Sequence, residues 1–417
     1  MRTWLLYGLI GLISLTLSAT DFKKQAEKLT RSEMQSVIQI MGHDLFEGRA
    51  PGTRGGDLAE LYCQSMFKWM GLQPGWKNEF AQPFTMKGFT TTELTVESGD
   101  TKLKYLEDIV GNSVHEDEDF SIEGDTVFIG FGIKSDIWQW DDFKKSDLKN
   151  KIVIVRVNDP GSIDPKMFEG NIMTYFGRWR YKIEEAQAQG AKAILIIHTD
   201  SSAGYGWHVV QNSWSGEQLY LPESLENNLK FSGWIKEATL RKLLSDRKIN
   251  LDKLYSSSMK KSFKPVPLKI PLKITGKCKK RLINANNIVA EIPGKSEKRI
   301  VLSAHIDHLG LNPTMQGDQI FNGAIDNGSA VAAMMLTARI LNENSGQLKH
   351  GISILACQAE EEGLLGSMHY ARNTDRSNIL ANINFESSPV WESSNDLMGV
   401  GARFSTLEDM LQDIAKE

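Results

Sequence analysis

The chain has 417 residues, 41% hydrophobic and 24% charged, with a formal net charge of -4. That length holds one large domain or two ordinary ones with ample core, and the composition is that of a globular protein rather than a disordered chain. The charge balance gives no pull toward nucleic acid, and the short basic runs Lys260-Lys261 and Lys277 to Arg281 read as solvated surface.

In chain order, Arg2, the apolar run from Trp4 to Leu17, and then Ser18 and Ala19 predict a secretory signal peptide over residues 1–19, too short for a comfortable membrane span. The protein is therefore expected to be exported, periplasmic or secreted, with no stable membrane insertion after signal removal. Cys63, Cys278 and Cys357 are too few for a disulfide-stapled scaffold, and Cys357 sits in an apolar run as a small core residue. A Cys63–Cys278 bridge is the less favoured reading.

Residues 20–118 read as the first part of the main domain. Lys23 to Phe46 carries apolar residues at helical intervals, and Gly48-Arg49-Ala50-Pro51-Gly52-Thr53-Arg54-Gly55-Gly56 breaks the pattern. A helix from Leu58 to Met70 should close at Gly71, and strand-like alternation follows from Phe80 to Val96. Residues 119–265 read as a small inserted α/β unit. It has β-rich runs at Val127 to Gly132 and Lys151 to Val155, a helix from Tyr181 to Gly190, and a buried strand Ala193 to His198. Pro265-Val266-Pro267 marks its end. Residues 266–417 return to the main domain. Strands are predicted at Ile288 to Ile292, Ile300 to Ala304, Ile352 to Cys357 and Ile379 to Phe385, with helices from Ser329 to Leu341 and over Ser367 to Ala371. The alternation predicts a three-layer α/β/α sandwich with a mostly parallel central sheet.

Functional groups in open α/β sheets collect at the carboxyl ends of strands. His305 and Asp307 follow one predicted strand, Glu360 and Glu361 follow another, Glu386 ends a third, and Asp326 precedes a helix. Singly, each has an ordinary reading: a salt-linked pair, an N-cap, or a solvated helix start. Jointly, four sequence-distant sites converge on one rim with imidazole and carboxylate donors, which suits zinc.

The order His305-x-Asp307, Gly323-Ala324-x-Asp326-Asn327, Glu360-Glu361-x-Gly363-Leu364-x-Gly366-Ser367 and Ile383-Asn384-x-Glu386 resembles the co-catalytic dizinc exopeptidases, the family of bacterial secreted aminopeptidases and glutamate carboxypeptidase II. Gly48-Arg49-Ala50-Pro51-Gly52-Thr53 resembles that family's N-terminal motif. Tyr175-Phe176-Gly177-Arg178-Trp179 through Ala191, with Gly204-Tyr205-Gly206-Trp207, resembles its protease-associated insertion. The resemblance implies that His305 and Glu386 bind one zinc, Glu361 a second, and Asp326 bridges both, with Asp307 fixing the imidazole and Glu360 acting as general base. Glu386 stands where aspartate is common, and His308, His350 and His369 match no ligand position.

The implied reaction is hydrolysis of N-terminal residues from a peptide substrate. A metal-held hydroxide attacks the carbonyl while Glu360 carries the proton. The family pattern also needs a histidine downstream of Glu386, and this sequence has none there. The expectation is a chain cut short at its C-terminus, or else one holding a single ion. The other functions weighed are a non-catalytic peptidase-like binding protein and a single-zinc acyltransferase of the glutaminyl cyclase kind. The Glu360-Glu361 pair and the insertion argue against the latter.

Overall fold

Thr53 begins a helix where the sequence suggests a break. Its hydroxyl accepts from Gly56 N, and the helix Arg54–Trp69 follows, burying Gly55, Gly56, Ala59, Cys63 and Phe67. It starts four residues before the predicted Leu58, because Gly55 and Gly56 lie against the carbonyls of Phe46 and Ala50, where a Cβ would stand 2.0 and 2.5 Å away. These glycines are packing residues. Gly71, at φ +75°, ends the helix as predicted.

The computed structural model describes residues 24–26, 28, 31–114, 117–225, 229–313, 315–387 and 398–415. The predicted signal peptide lies outside them. Two compact units result: Met1–Gln82 with Asn286–Glu361 and Asn373–Glu417, and Pro83–Ala285 with Glu362–Arg372. The second is wider than the span 119–265 on both sides. Pro265 and Pro267 do not interrupt the fold there. Pro267 lies opposite Val127 near the start of a strand, Val266–Ile292, that pairs antiparallel with Asp119–Phe128.

In the first unit, Ser296–His305 pairs parallel with both His350–Cys357 and Ile379–Asn384, and Ile288–Ile292 pairs antiparallel with His350–Cys357. Alternate residues of these strands point to opposite faces. Ile288, Ala290, Leu302, Ala304, Ile354 and Ala356 pack with Met41, Phe67, Met334 and Met335 from the helices Arg31–Met41, Arg54–Trp69 and Ala330–Glu343. Val289, Val301 and Leu355 on the other face are buried too. Burial on both faces is what a mostly parallel α/β sheet requires.

The second unit repeats the logic in its own strands. Asp119–Phe128, Ile152–Arg156, Ala193–His198 and Phe231–Lys236 run parallel in that order, and Ile109–Ser113 closes the edge antiparallel. Ile152, Ile154, Leu195 and Phe231 pack on one side, and Val153, Val155, Ile194 and Trp234 on the other. The helix Trp179–Ala188 crosses between two of the strands and is followed by Gly190 at φ +76°. Its Lys182 is fully buried, donating to Phe176 O at 2.6 Å. Asp142, equally buried, accepts from Ile133 N and Trp140 Nε1. Burial lowers the Lys182 pKa to about 7 against the pull of Asp142 and Asp159, and burial raises that of Asp142 to about 7.

Cys63, Cys278 and Cys357 are free buried thiols. No helix among the described residues is long and apolar enough to cross a membrane.

Candidate metal centre

Strand register gathers the site, all of it within the first unit. His305 lies opposite Cys357, and Ser303 lies opposite both Leu355 and Asn384, so three parallel strands end within about two residues of one another, on the same rim. Glu360 follows Cys357 and Glu386 follows Asn384 at that rim. Asp326 sits on the turn before the helix Ala330–Glu343, which opens at Gly323 with φ +60°. A Cβ at Gly323 would meet Arg49 Nη2 at 2.4 Å and Asp326 O at 2.5 Å, so only glycine fits.

His305 is 3% exposed. Its Nδ1 donates to the Asp307 main-chain carbonyl at 3.2 Å, which turns Nε2 toward the carboxylates. Nε2 lies 3.2 Å from Asp326 Oδ1, 3.4 Å from Glu386 Oε1 and 3.9 Å from Glu360 Oε2. Asp307, with no exposed surface, accepts Glu360 N at 3.0 Å and Glu361 N at 3.1 Å, one on each oxygen. This carboxylate therefore fixes the backbone that carries two of the acidic residues. Asn327 ties the turn at Asp326 to the segment of Glu386: its Nδ2 donates to Phe385 O, and its Oδ1 accepts from Ser387 Oγ.

The charges are crowded. Burial disfavours the His305 imidazolium, yet hydrogen bonds with Asp307 and Glu386 prevail and raise its pKa to about 11. Burial raises Glu360 to about 7, with His305 opposing and the neighbouring carboxylates assisting. Asp326 is raised by burial and by Glu361. Burial pushes Glu386 up, but its bond to His305 outweighs that and leaves it lowered. Carboxylates held this close to one another favour a cation among them.

Among the described residues, two groups have the spacing of metal ligands. One is His305, Asp326 and Glu386; the other is His308, Asp326 and Glu361; within each, the donor atoms lie within 4.8 Å of one another. Asp326 belongs to both. Imidazole and carboxylate donors in this number fit zinc. His308 carries no ligand expectation in the sequence, yet its Nδ1 lies 2.6 Å from Glu361 Oε1. Only its place beside His305-x-Asp307 hints at this. His350 instead meets Ser296 Oγ, and His369 stacks on Phe84.

Beneath the ligands lies Arg49, fully buried. Its Nε donates to Ile306 O at 2.8 Å, Nη1 to Met41 O and to Asn322 O at 2.5 Å, and Nη2 to Gly323 O at 2.9 Å. One guanidinium thus joins the loop after His305 to the loop before Asp326. Burial lowers its pKa, while Asp307, Asp326 and Glu361 act to hold its charge. In the sequence, Arg49 is visible only as part of a glycine-rich motif. Gly48, at φ +67°, permits the approach: a Cβ there would stand 2.3 Å from Gly310 O.

Histidine and carboxylate donors massed at the strand ends of an α/β unit are the kind of donor set that a divalent metal takes. Residues 287–417 match the model of peptidase family M28, and this segment holds His305, Asp307, His308, Asp326, Glu360, Glu361 and Glu386. Over 86 residues the chain is 35% identical to leucine aminopeptidase 1 of Paracoccidioides brasiliensis strain Pb03, which covers 19% of this chain and 21% of that protein. It is 36% identical over 86 residues to leucine aminopeptidase 1 of Pyrenophora tritici-repentis strain Pt-1C-BFP, covering 20% and 22%. The chain thus spans about a fifth of the length of the curated relatives it matches. Among solved structures, it is similar to an aminopeptidase from Aneurinibacillus sp. strain AM-1 at 18% identity and a TM-score of 0.49, covering 87% of this chain and 71% of that one. A zinc aminopeptidase from Bacillus subtilis aligns at 20% identity and a TM-score of 0.38, covering 85% and 68%.

Proposed function

We propose that the chain is a zinc-dependent exopeptidase, an aminopeptidase that removes N-terminal residues from peptides outside the cytoplasm. The observation that carries this reading is the pair of three-donor groups sharing Asp326 beside Glu360, on a segment that matches the model of peptidase family M28. His305 and Glu386 would hold one ion, Glu361 the other, and Asp326 would serve both. When bound, the zinc ions polarise the scissile carbonyl and acidify a water. The chain's own residues do the rest. Asp307 keeps the His305 ring turned, with Nε2 toward the ligands, and sets the backbone of Glu360 and Glu361. Glu360 takes the proton from the attacking water and hands it to the leaving amine, for about 10²–10⁴-fold in rate. Residues 119–265 are, in this reading, a protease-associated insertion, and the first nineteen residues direct export.

The test is release of free amino acid from peptides with a free N-terminus, leucine first because the two curated relatives named above are leucine aminopeptidases. The same peptides N-acetylated should be inert, and Glu360→Gln should keep its zinc while losing about 10²-fold or more in turnover. Cleavage of the acetylated peptides at their other end would replace aminopeptidase by carboxypeptidase. Near-wild-type turnover in Glu360→Gln would remove Glu360 from its role.

A further inference from the structure

We infer that Arg180 is a positioning residue for Glu360 and Glu361, acting through the carbonyl of Gly363. The inference rests on the roles given above to the two glutamates and adds a residue from outside the metal centre. The turn that carries them has a backbone the chain does not hold unaided. Ala359 at φ +57° and Leu364 at φ +66° are left-handed although both carry a Cβ, and Gly363 between them stands at φ +99°. Such backbone persists where its surroundings over-determine it. The first half of the turn is held beside the site: Asn287 Oδ1 accepts from Gln358 N at 3.1 Å, and Asp307 accepts from Glu360 N and Glu361 N. The second half belongs to the segment Glu362–Arg372, which packs within the second unit. There Arg180 reaches the main chain: Nη1 donates to Gly363 O at 2.5 Å, and Nη2 donates to Met368 Sδ at 3.4 Å. A Cβ at Gly363 would stand 2.5 Å from the same Nη1, so the guanidinium sits where only glycine leaves room.

The guanidinium is itself aimed. Arg180 lies on the helix Trp179–Ala188, its Nε donates to Glu184 Oε1 at 3.1 Å, and Tyr175 Oη donates to Glu184 Oε2 at 2.6 Å. With Nε turned to Glu184, the planar fork directs its two terminal nitrogens at Gly363 and Met368, an arrangement that a lysine ammonium does not reproduce. The side chain is 30% exposed, and this partial shielding strengthens a charge-assisted bond to a carbonyl. Two other ties hold the same segment: His369 stacks on Phe84 at 5.2 Å, and Arg372 reaches Glu223 at 3.3 Å. Both lie on the helix Leu365–Asn373, beyond the turn, so of the three only Arg180 meets the turn itself. Without the fork the turn relaxes, and a shift of about 1 Å at a reacting group can cost about 10²-fold in rate.

The experiment compares wild type, Arg180→Met, Arg180→Lys and, as a control, Arg372→Met, each as the full chain with circular dichroism to confirm folding. Three readouts are taken: amide hydrogen exchange of the metal-free chain, zinc affinity by calorimetric titration, and kcat and KM on a peptide with an N-terminal leucine. Arg180→Met should speed exchange across residues 359–364 by about 10-fold or more while the strands of the second unit stay protected. Its zinc affinity should fall by about 10-fold, and its kcat should drop with KM little changed. Arg180→Lys should recover part of each, and Arg372→Met should match wild type. Wild-type exchange at the turn in Arg180→Met would overturn the inference and leave the metal centre standing. Faster exchange with zinc affinity and kcat both unchanged would overturn it too, since Arg180 would then serve the fold alone. A wild type that neither binds zinc nor releases leucine would instead remove the function proposed above, and the role of Arg180 with it, whatever the exchange shows.

Discussion

Asp307→Asn tests how much of the site depends on one buried carboxylate. Each Asp307 oxygen accepts one main-chain N–H, from Glu360 at 3.0 Å and Glu361 at 3.1 Å. An asparagine offers a single carbonyl oxygen, so its NH₂ must face the second N–H, donor against donor. One charge-assisted bond of about 1.5–3 kcal/mol is lost, and a buried N–H without an acceptor costs about 1–3 kcal/mol. Together the substitution should destabilise by about 3–5 kcal/mol, a large share of the about 5–15 kcal/mol that holds a typical domain. The turn carrying Glu360 and Glu361 loosens with it, and zinc affinity should fall by about 10–100-fold, as when a partner supporting metal ligands is removed. Urea unfolding of the metal-free chain gives the first quantity and calorimetric zinc titration the second. A stability change within about 0.5 kcal/mol, the range of an ordinary surface substitution, would refute the reasoning. So would zinc binding unaltered from wild type.

Arg49→Met keeps the length of the side chain and removes every donor, leaving the carbonyls of Met41, Ile306, Asn322 and Gly323 without it. At about 1–2 kcal/mol for each orphaned acceptor, the loss approaches the stability of a whole domain, so thermal melting should drop steeply. Arg49→Lys, with its donors on one atom, should recover only part; a melting temperature for Arg49→Met equal to wild type would show that the clamp is idle. In the second unit, the buried Lys182 and Asp142 have opposite signatures. Between about pH 7 and 10 the unfolded chain keeps the Lys182 proton that the folded chain has released, so stability rises with pH through that window. Between about pH 4 and 7 the folded chain keeps the Asp142 proton that the unfolded chain has lost, so stability falls. Lys182→Met should abolish the rise, and denaturant midpoints at pH 7, 8.5 and 10 will read it. Parallel pH profiles for variant and wild type would show that Lys182 does not titrate in that range.

Local pattern alone was enough for the strand Ala193–His198, whose six residues are all buried, and for the strands that end at His305 and Cys357. A buried strand leaves an uninterrupted apolar run, and a polar residue just past its end is legible as a rim residue. Five of the residues singled out, His305, Asp307, Glu360, Glu361 and Glu386, could be named that way, and Asp326 from its place before a helix. The expectation of an export signal rests on sequence alone, on composition over the first nineteen residues, which lie outside the described ones. Glycine and proline were less readable, because their role depends on what stands opposite. Gly55 and Gly56 looked like a break and are helical because carbonyls press on them, and Pro267 looked like a boundary and lies paired in a strand.

The parts decided only by tertiary structure are those in which a side chain acts on backbone distant in the sequence. Arg49 donates to carbonyls up to 274 residues away, and His308 meets a glutamate 53 residues on. Neither position differs in local pattern from an ordinary charged or polar loop residue. Periodicity reports which way a side chain faces relative to its own element. It carries no distance to another element, and hydrogen bonding, ion pairing and metal ligation all fail beyond a few ångströms.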